Sequence, residues 1–253
     1  MEKIEQITDL DRSNWINVPQ EFSGLNYDFS VSPERLDDNP VVEKVGKNLN
    51  LNLKSTSKDS MYRNFIGNIN QEQAVKINLL LGQKTPSTKQ AIDFIHLLDE
   101  GSKGKIVVYN NAGKKLEKNY LAQVRDDIVK FESPWRAEWL EDKFTKENGK
   151  MKINNNYVMS KAGILVPQYS EILDKNTSMK NKRISLDSLF KTRTEQEMVS
   201  NKTEPGNLHF WAPVNGRVAW FYADVVRVSL GCDGDPFYND SYLGVRGVKE
   251  EKQ

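Results

Sequence analysis

The sequence predicts an α+β protein in which a helix-rich segment, residues 1–131, precedes a strand-rich segment, residues 132–253. Three observations predict it. Apolar residues recur at helical spacing in three stretches between positions 70 and 130. Ser133-Pro134 marks a break. After position 205 short alternating apolar runs (LHFWAP, RVAWFYA, RVSLGC, LGVRGV) are separated by Gly, Pro and Asn.

Residues 1 to 55 show weak periodicity. They read as irregular structure with one short strand at Leu49–Leu53, where LNLNL alternates. Asn70 then caps a helix whose face is Ala74, Val75, Ile77, Leu79 and Leu80, with Gly82 as its stop. Pro86 and Ser87 open a second helix that buries Ile92, Phe94, Ile95, Leu97 and Leu98 and ends at Gly101. His96 lies within it as a helix histidine. KIVVYNNAGKKL reads as a strand and a turn, and KNYLAQVRDDIVKF as a third helix with Tyr120, Leu121, Val124 and Ile128 on one face. Gly101 to Lys105 is not a phosphate loop: the glycine spacing is wrong, and Ile106 stands where Ser or Thr would hold magnesium.

Beyond the break, Trp135 and Trp139 are four apart and would share one face of a helix as core residues. Asn148-Gly149 reads as a hairpin turn. Residues 160–205 are polar and irregular apart from a short helix, SLDSLFKT, capped by Ser185. In RVSLGC, alternation turns Val228, Leu230 and Cys232 inward and Ser229, Gly231 and Asp233 outward. Trp211 and Trp220 add core bulk, and His209 packs at a strand start. Cys232 becomes a small core residue rather than a nucleophile.

The formal net charge of +1 and the absence of a basic stripe argue against a nucleic-acid partner. No apolar run reaches the length of a membrane span, and the acidic, mixed N-terminus carries no visible secretory signal. That leaves a cytoplasmic, particle-associated or otherwise surface-displayed location open. One cysteine and two histidines exclude a disulfide framework and a Cys-rich metal site.

The stretch Tyr222 to Tyr242 stands apart. It lacks Lys, Glu, Gln, Met and Trp, which make up about a quarter of the chain, so about five would be expected in a window of this length. Every residue type present can be encoded by a codon ending in a pyrimidine. Asparagine codons randomised only at their adenines would impose that restriction. Tyr and Phe for contact area, with Ser, Gly, Asn and Asp for polar contacts, also form the alphabet of an adaptable binding surface.

The C-terminal part resembles the variable proteins of diversity-generating retroelements, which carry a C-type lectin fold, and the archaeal kind in particular. The resemblance rests on Trp135-Arg136-Ala137-Glu138-Trp139-Leu140, Lys143-Phe144, Phe210-Trp211-Ala212-Pro213 and Val218-Ala219-Trp220-Phe221. It continues through Ala223, Leu230, Cys232, Pro236, Ser241 and Leu243-Gly244-Val245-Arg246. It implies a C-type-lectin-like C-terminal domain after a helix-rich α/β N-terminal domain. It also implies a display surface whose residues are replaced by adenine-directed mutagenesis. The variable positions it implies are Tyr222, Asp224, Val225, Val226, Ser229, Gly231, Asp233, Gly234, Asp235, Phe237, Tyr238, Asn239, Asp240 and Tyr242. Val226 shares the inward parity of Val228, so alternation turns it toward the core.

These positions form an exposed surface in this reading, with Tyr222, Phe237, Tyr238 and Tyr242 as its anchors. The four aspartates favour a basic or polar partner. The expected ligand is a macromolecule of protein class; no enzyme activity, cofactor or metal is expected. Formylglycine-generating enzymes share the fold but use a pair of cysteines, and only Cys232 is present. The alternative is a carbohydrate-binding lectin, with or without calcium. The ligating triplets of the calcium-dependent lectins are absent, although Asp233, Asp235, Asn239 and Asp240 do cluster oxygen ligands.

Overall fold

The computed structural model describes residues 10–251. The reading of the N-terminus as free of a secretory signal lies in part outside them. The chain runs β1 (Ile16–Val18), α1 (Gln20–Ser23), β2 (Asp28–Val31), α2 (Pro40–Asn48), β3 (Ser55–Lys58), β4 (Asn64–Ile66), α3 (Gln71–Leu80), α4 (Thr88–Ser102) and α5 (Lys118–Val129). It continues β5 (Arg136–Glu147), β6 (Lys150–Met159), β7 (Leu165–Ile172), β8 (Lys182–Ile184), α6 (Leu186–Lys191), β9 (Leu208–Trp211), β10 (Val218–Ala223), β11 (Val228–Gly234), β12 (Leu243–Gly244) and β13 (Val248–Glu251). The result is a mixed α+β fold, mostly sheet. No helix among the described residues is long and apolar enough to cross a membrane.

The large sheet has the order β7-β6-β5-β10-β11-β9-β8, with β12 added in parallel beside β5. The β11–β9 pair is parallel, and its other neighbours are antiparallel. A three-stranded sheet, β1-β2-β13, brings the last strand onto the second. Both large apolar clusters draw on residues from either side of position 131. One joins Ile92 and Leu98 of α4 and Leu121 and Val124 of α5 to Phe221, Leu230 and Cys232. The other joins Val45, Ala74 and Ile77 to Trp139, Val218, Tyr222 and Val245.

Local chemistry accounts for the helix starts. Asn70 and Ser87 each form a capping box, with Gln73 and Gln90 answering from the third helical position. Ser185 accepts from the Ser188 N–H. Asn148 and Gly149 both take positive φ, at 49° and 79°, which is what a two-residue hairpin turn requires.

Several expectations are corrected. Leu49–Leu53 is not a strand; the residues before it form α2, whose Asn39 cap and first-turn Pro40 are ordinary helix-start chemistry. Trp135 and Trp139 are not on a helix: Trp139 lies in β5, and a separation of four returns to one face in a strand as well. The strand expected in KIVVY reduces to isolated bridges at Tyr109 and Asn110. Residues 165–172 are not irregular, because they pair with β6 along its length. The second helix runs on to Ser102.

A buried ionic cluster holds these parts in register. Arg246 is fully enclosed; its Nε donates to both oxygens of Glu138 at 2.9 Å and its Nη2 to Asp127 Oδ2 at 2.8 Å. A third contact reaches the Pro33 carbonyl. Arg35 binds the same two acids, at 2.7 Å to Asp127 and 3.0 Å to Glu138. Burial alone would raise the Asp127 carboxyl, but Arg35, Arg246 and hydrogen bonds from Ser60 hold it far below the usual carboxylate range. Removing one partner leaves buried charge uncompensated, so Arg246→Met should cost about 3–5 kcal/mol, read as a lower urea midpoint. A loss under about 1 kcal/mol would show the cluster to be dispensable. Because the folded Asp127 value is depressed, its contribution is present above the unfolded value near 3.9. It is lost as pH falls through the folded value, so acid titration should show stability declining below about pH 4.

A candidate binding face

The predicted positions divide into a floor and a rim. Exposure separates them: Val225, Val226, Asp235, Phe237, Tyr238, Asn239 and Tyr242 are exposed, and Asp224, Asp233 and Asp240 are half-buried. Tyr222, Ser229, Gly231 and Gly234 are buried, which corrects the expectation that the whole set is a solvent-facing surface. Val226 does not follow the inward parity of Val228. It sits in the β10–β11 turn and is 77 % exposed, because Asp224–Arg227 is a closed turn rather than strand.

The floor is aromatic. Trp139 is fully buried, and its indole N–H donates to the Ile69 carbonyl at 2.8 Å. Trp220 stacks on Trp139 at 5.8 Å between ring centres and lies 4.8 Å from Tyr222. Tyr238 meets the edge of Trp220 at 6.2 Å. An aromatic column therefore rises from the core to the rim. Trp220 and Trp211 are half-buried on the open side of this face rather than core bulk. Arg227 lies over both the Trp211 ring (6.0 Å) and the Tyr222 ring (5.5 Å).

Gly231 explains why the outward face of β11 is closed. A Cβ there would lie 2.1 Å from Trp220 Nε1 and 2.5 Å from its Cδ1, so any side chain must displace the indole. Gly234 sits under the same ring, with a Cβ meeting Trp220 Cδ1 at 3.3 Å and the Val218 carbonyl at 3.0 Å. Burial pushes the Asp233 carboxyl up, and it pushes the enclosed Cys232 thiol well above its ordinary value. A buried thiol kept protonated is a poor nucleophile.

The rim loop, residues 235–242, is held by its backbone. The Pro236 carbonyl accepts from Gln71 N–H at 3.3 Å, that of Asp240 from Asn68 N–H at 2.7 Å and that of Ser241 from Thr56 Oγ1 at 2.7 Å. The Tyr242 carbonyl accepts from Ala137 N–H at 2.9 Å. Gly67 lets this approach occur, since a Cβ there would fall 2.2 Å from the Ser241 oxygen.

Three of the four aspartates are committed within the chain. Asp224, Asp235 and Asp240 each accept the backbone N–H two residues on, from Val226, Phe237 and Tyr242. Asp235 also pairs with Arg217 at 2.7 Å, and Asp224 lies 3.7 Å from Arg227. The Phe237 N–H and Arg217 lower the Asp235 carboxyl. Their first role is turn formation, which revises the expectation that they select a basic partner. No group of three or more His, Cys, Asp or Glu side chains among the described residues comes together as a metal-holding set.

Arg217, Arg227 and the outward side of Trp211 belong to the face but were not read as site residues. A signal was present: Arg217, Arg227 and Arg246 are the only Lys or Arg residues between positions 206 and 248. His209 shares the outward side of β9 with Trp211, opposite Ser229 and Gly231. His96 is sandwiched between Phe22 and Phe190, at 4.8 and 4.2 Å, and burial lowers its pKa. Searches of protein-family models, of curated proteins and of solved structures each found no match to this chain.

Floor and rim should respond differently to truncation. Tyr222→Ala should cost about 3 kcal/mol, as loss of a buried aromatic does, whereas Phe237→Ala should change stability by less than about 0.5 kcal/mol. Chemical denaturation of the two variants checks this; equal losses would erase the distinction.

Proposed function

We propose that the chain is a ligand-binding display protein: the variable protein of an archaeal-type diversity-generating retroelement, with a C-type-lectin-like C-terminal domain. Its ligand is a macromolecule of protein class, and it performs no catalysis.

The observation that carries the reading is how the rim loop is held. Four backbone carbonyls anchor residues 236–242, and their donors come from Thr56, Asn68, Gln71 and Ala137, all outside the loop. Any residue type supplies a carbonyl. The side chains of Phe237, Tyr238, Asn239 and Tyr242 can therefore change while the loop keeps its path. Where side chains do set the turns, at positions 224, 235 and 240, the residue is Asp. Asn accepts the same hydrogen bond, and Ser does so more weakly. All three belong to the alphabet reached from asparagine codons altered at adenine.

The remaining features agree with recognition rather than chemistry. Phe237 is 77 % exposed and Val225 66 %. Exposed aromatic and apolar side chains grouped on one surface, with arginines beside them, are suited to burial against a partner. Seven exposed residues are fewer than the roughly 20–30 per side of a standard interface. Several copies on one particle would compensate through effective concentration.

The neighbouring DNA tests the reading. It should contain a near-identical copy of the segment encoding Tyr222 to Tyr242, differing only where the copy has adenine, with asparagine codons opposite the rim positions. A reverse-transcriptase gene should lie close by. Sequence without either would overturn the diversification reading. At the protein level, replacing Tyr238 and Tyr242 by Ala should leave Tm nearly unchanged. It should weaken binding of a cognate protein by at least about tenfold, or about 1.4 kcal/mol, as measured by calorimetry.

A further inference from the structure

A second concavity lies apart from the rim loop and the aromatic floor. It is a cleft of about 520 Å³ between the loop around Tyr27, the start of α4, strands β5, β6 and β13, and the segment around Glu197. Glu141 of β5 lines it. Its side chain is almost wholly buried, at 4 % exposure. The only hydrogen bond it accepts among the described residues is from the Asn156 backbone N–H to Oε1, at 3.0 Å. Asn156 adopts a left-handed conformation, φ 54°, in making it. Oε2 has no hydrogen-bond partner among the described residues.

Among the described residues no cation forms an ion pair with Glu141. Lys84, whose charge acts on Glu141, is bound to Asn156 Oδ1 at 2.7 Å and to Glu250 Oε2 at 2.5 Å. Lys89, also on the cleft wall, pairs with Glu197 at 2.7 Å. Among the described residues every other acidic side chain this deep in the fold is matched: Asp127 and Glu138 by arginines, Asp59 by Arg63, Asp93 by Arg193, and Asp142 by donors from Thr88 and Asn155. Burial, reinforced by Asp142, pushes the Glu141 carboxyl up to about 8. Oε2 is not sealed from solvent and opens on the cleft, where an entering donor can meet it. The remaining lining suits a small polar cation, with carbonyl acceptors on Asn155 and Gln196 and the phenol rings of Tyr27 and Tyr169.

We propose that this cleft binds the ammonium group of a small organic amine, a polyamine or an amino sugar, on the carboxylate of Glu141. The inference does not depend on the display reading, since no rim residue takes part. Glu250, Asp142 and Lys84 face Glu141 and set its charge balance, with Tyr27 and Tyr157 beside them.

Calorimetric titration of the full chain tests it, with putrescine at pH 8.5, glucosamine at about pH 7.5 where its amine still carries a proton, and glucose as the uncharged control. Putrescine or glucosamine should bind, and the tighter of the two identifies the source. Putrescine keeps its charge over this range, so its binding should weaken as pH falls from 8.5 to 6.5 and Glu141 takes up its proton. Glu141→Gln keeps the acceptor for Asn156, so its Tm should be unchanged or higher while amine affinity falls at least tenfold. No binding of either amine, equal binding of glucose, or undiminished amine binding by Glu141→Gln would overturn the proposal. In the last case Glu141 is simply a buried neutral acid.

Discussion

The constraint on which the structure depends is the burial of Arg246. A guanidinium cannot lose its charge and carries five donors that must be met. Here they are met by Glu138 on β5, Asp127 on α5 and the carbonyls of Ser32 and Pro33. Three separate parts of the chain are thereby tied to one side chain, which itself follows β12. Arg35 doubles the link, and Arg136 donates to five carbonyls around the end of α5 and the turn that follows. Such a cluster adds little net stability over an apolar core of equal volume. What it supplies is position: Arg246 is placed only when β12, β5, α5 and the segment before α2 are in register. The rim loop ends three residues before Val245, so its far end inherits that position.

From this fixed end the face is built in two tiers. Trp139, Trp220 and Tyr222 form a packed floor in which a Cβ on Gly231 has no room. Above it, a loop held by its carbonyls carries aromatic side chains that the scaffold does not require. Close packing makes the floor intolerant of change, because interiors sense even a methylene. Exposure and backbone anchoring make the rim tolerant. The boundary between the tiers does not follow strand parity alone, because Trp220 folds over the side of β11 that alternation turns outward.

The sequence revealed what depends on local chemistry. Asn70, Ser87 and Ser185 cap helices as their spacing indicates, Asn148-Gly149 turns a hairpin, and Leu230 and Cys232 face the core. It concealed what depends on neighbours distant in sequence. Tyr222 and Ser229 look like surface residues in a polar, restricted stretch, yet Arg227 and the tryptophans enclose that side of the sheet. Trp135 and Trp139 fit a helix as well as a strand, since a spacing of four satisfies both periods. Strand β7 hid because it is an edge strand with most residues exposed, so no apolar alternation marks it. Helix α2 hid behind Gly46, whose small size serves a close approach to Leu51 and Leu53.

The central claim is that the rim is replaceable and the floor is not. The most direct measurement compares two libraries of the full chain built with pyrimidine-ended codons. One is randomised at positions 225, 226, 237, 238, 239 and 242, the other at 222, 229, 231 and 234. Each is displayed and sorted for resistance to protease. The account predicts that most members of the first library stay folded and most of the second do not. Equal survival of the two libraries, or loss of folding in the first, would contradict it.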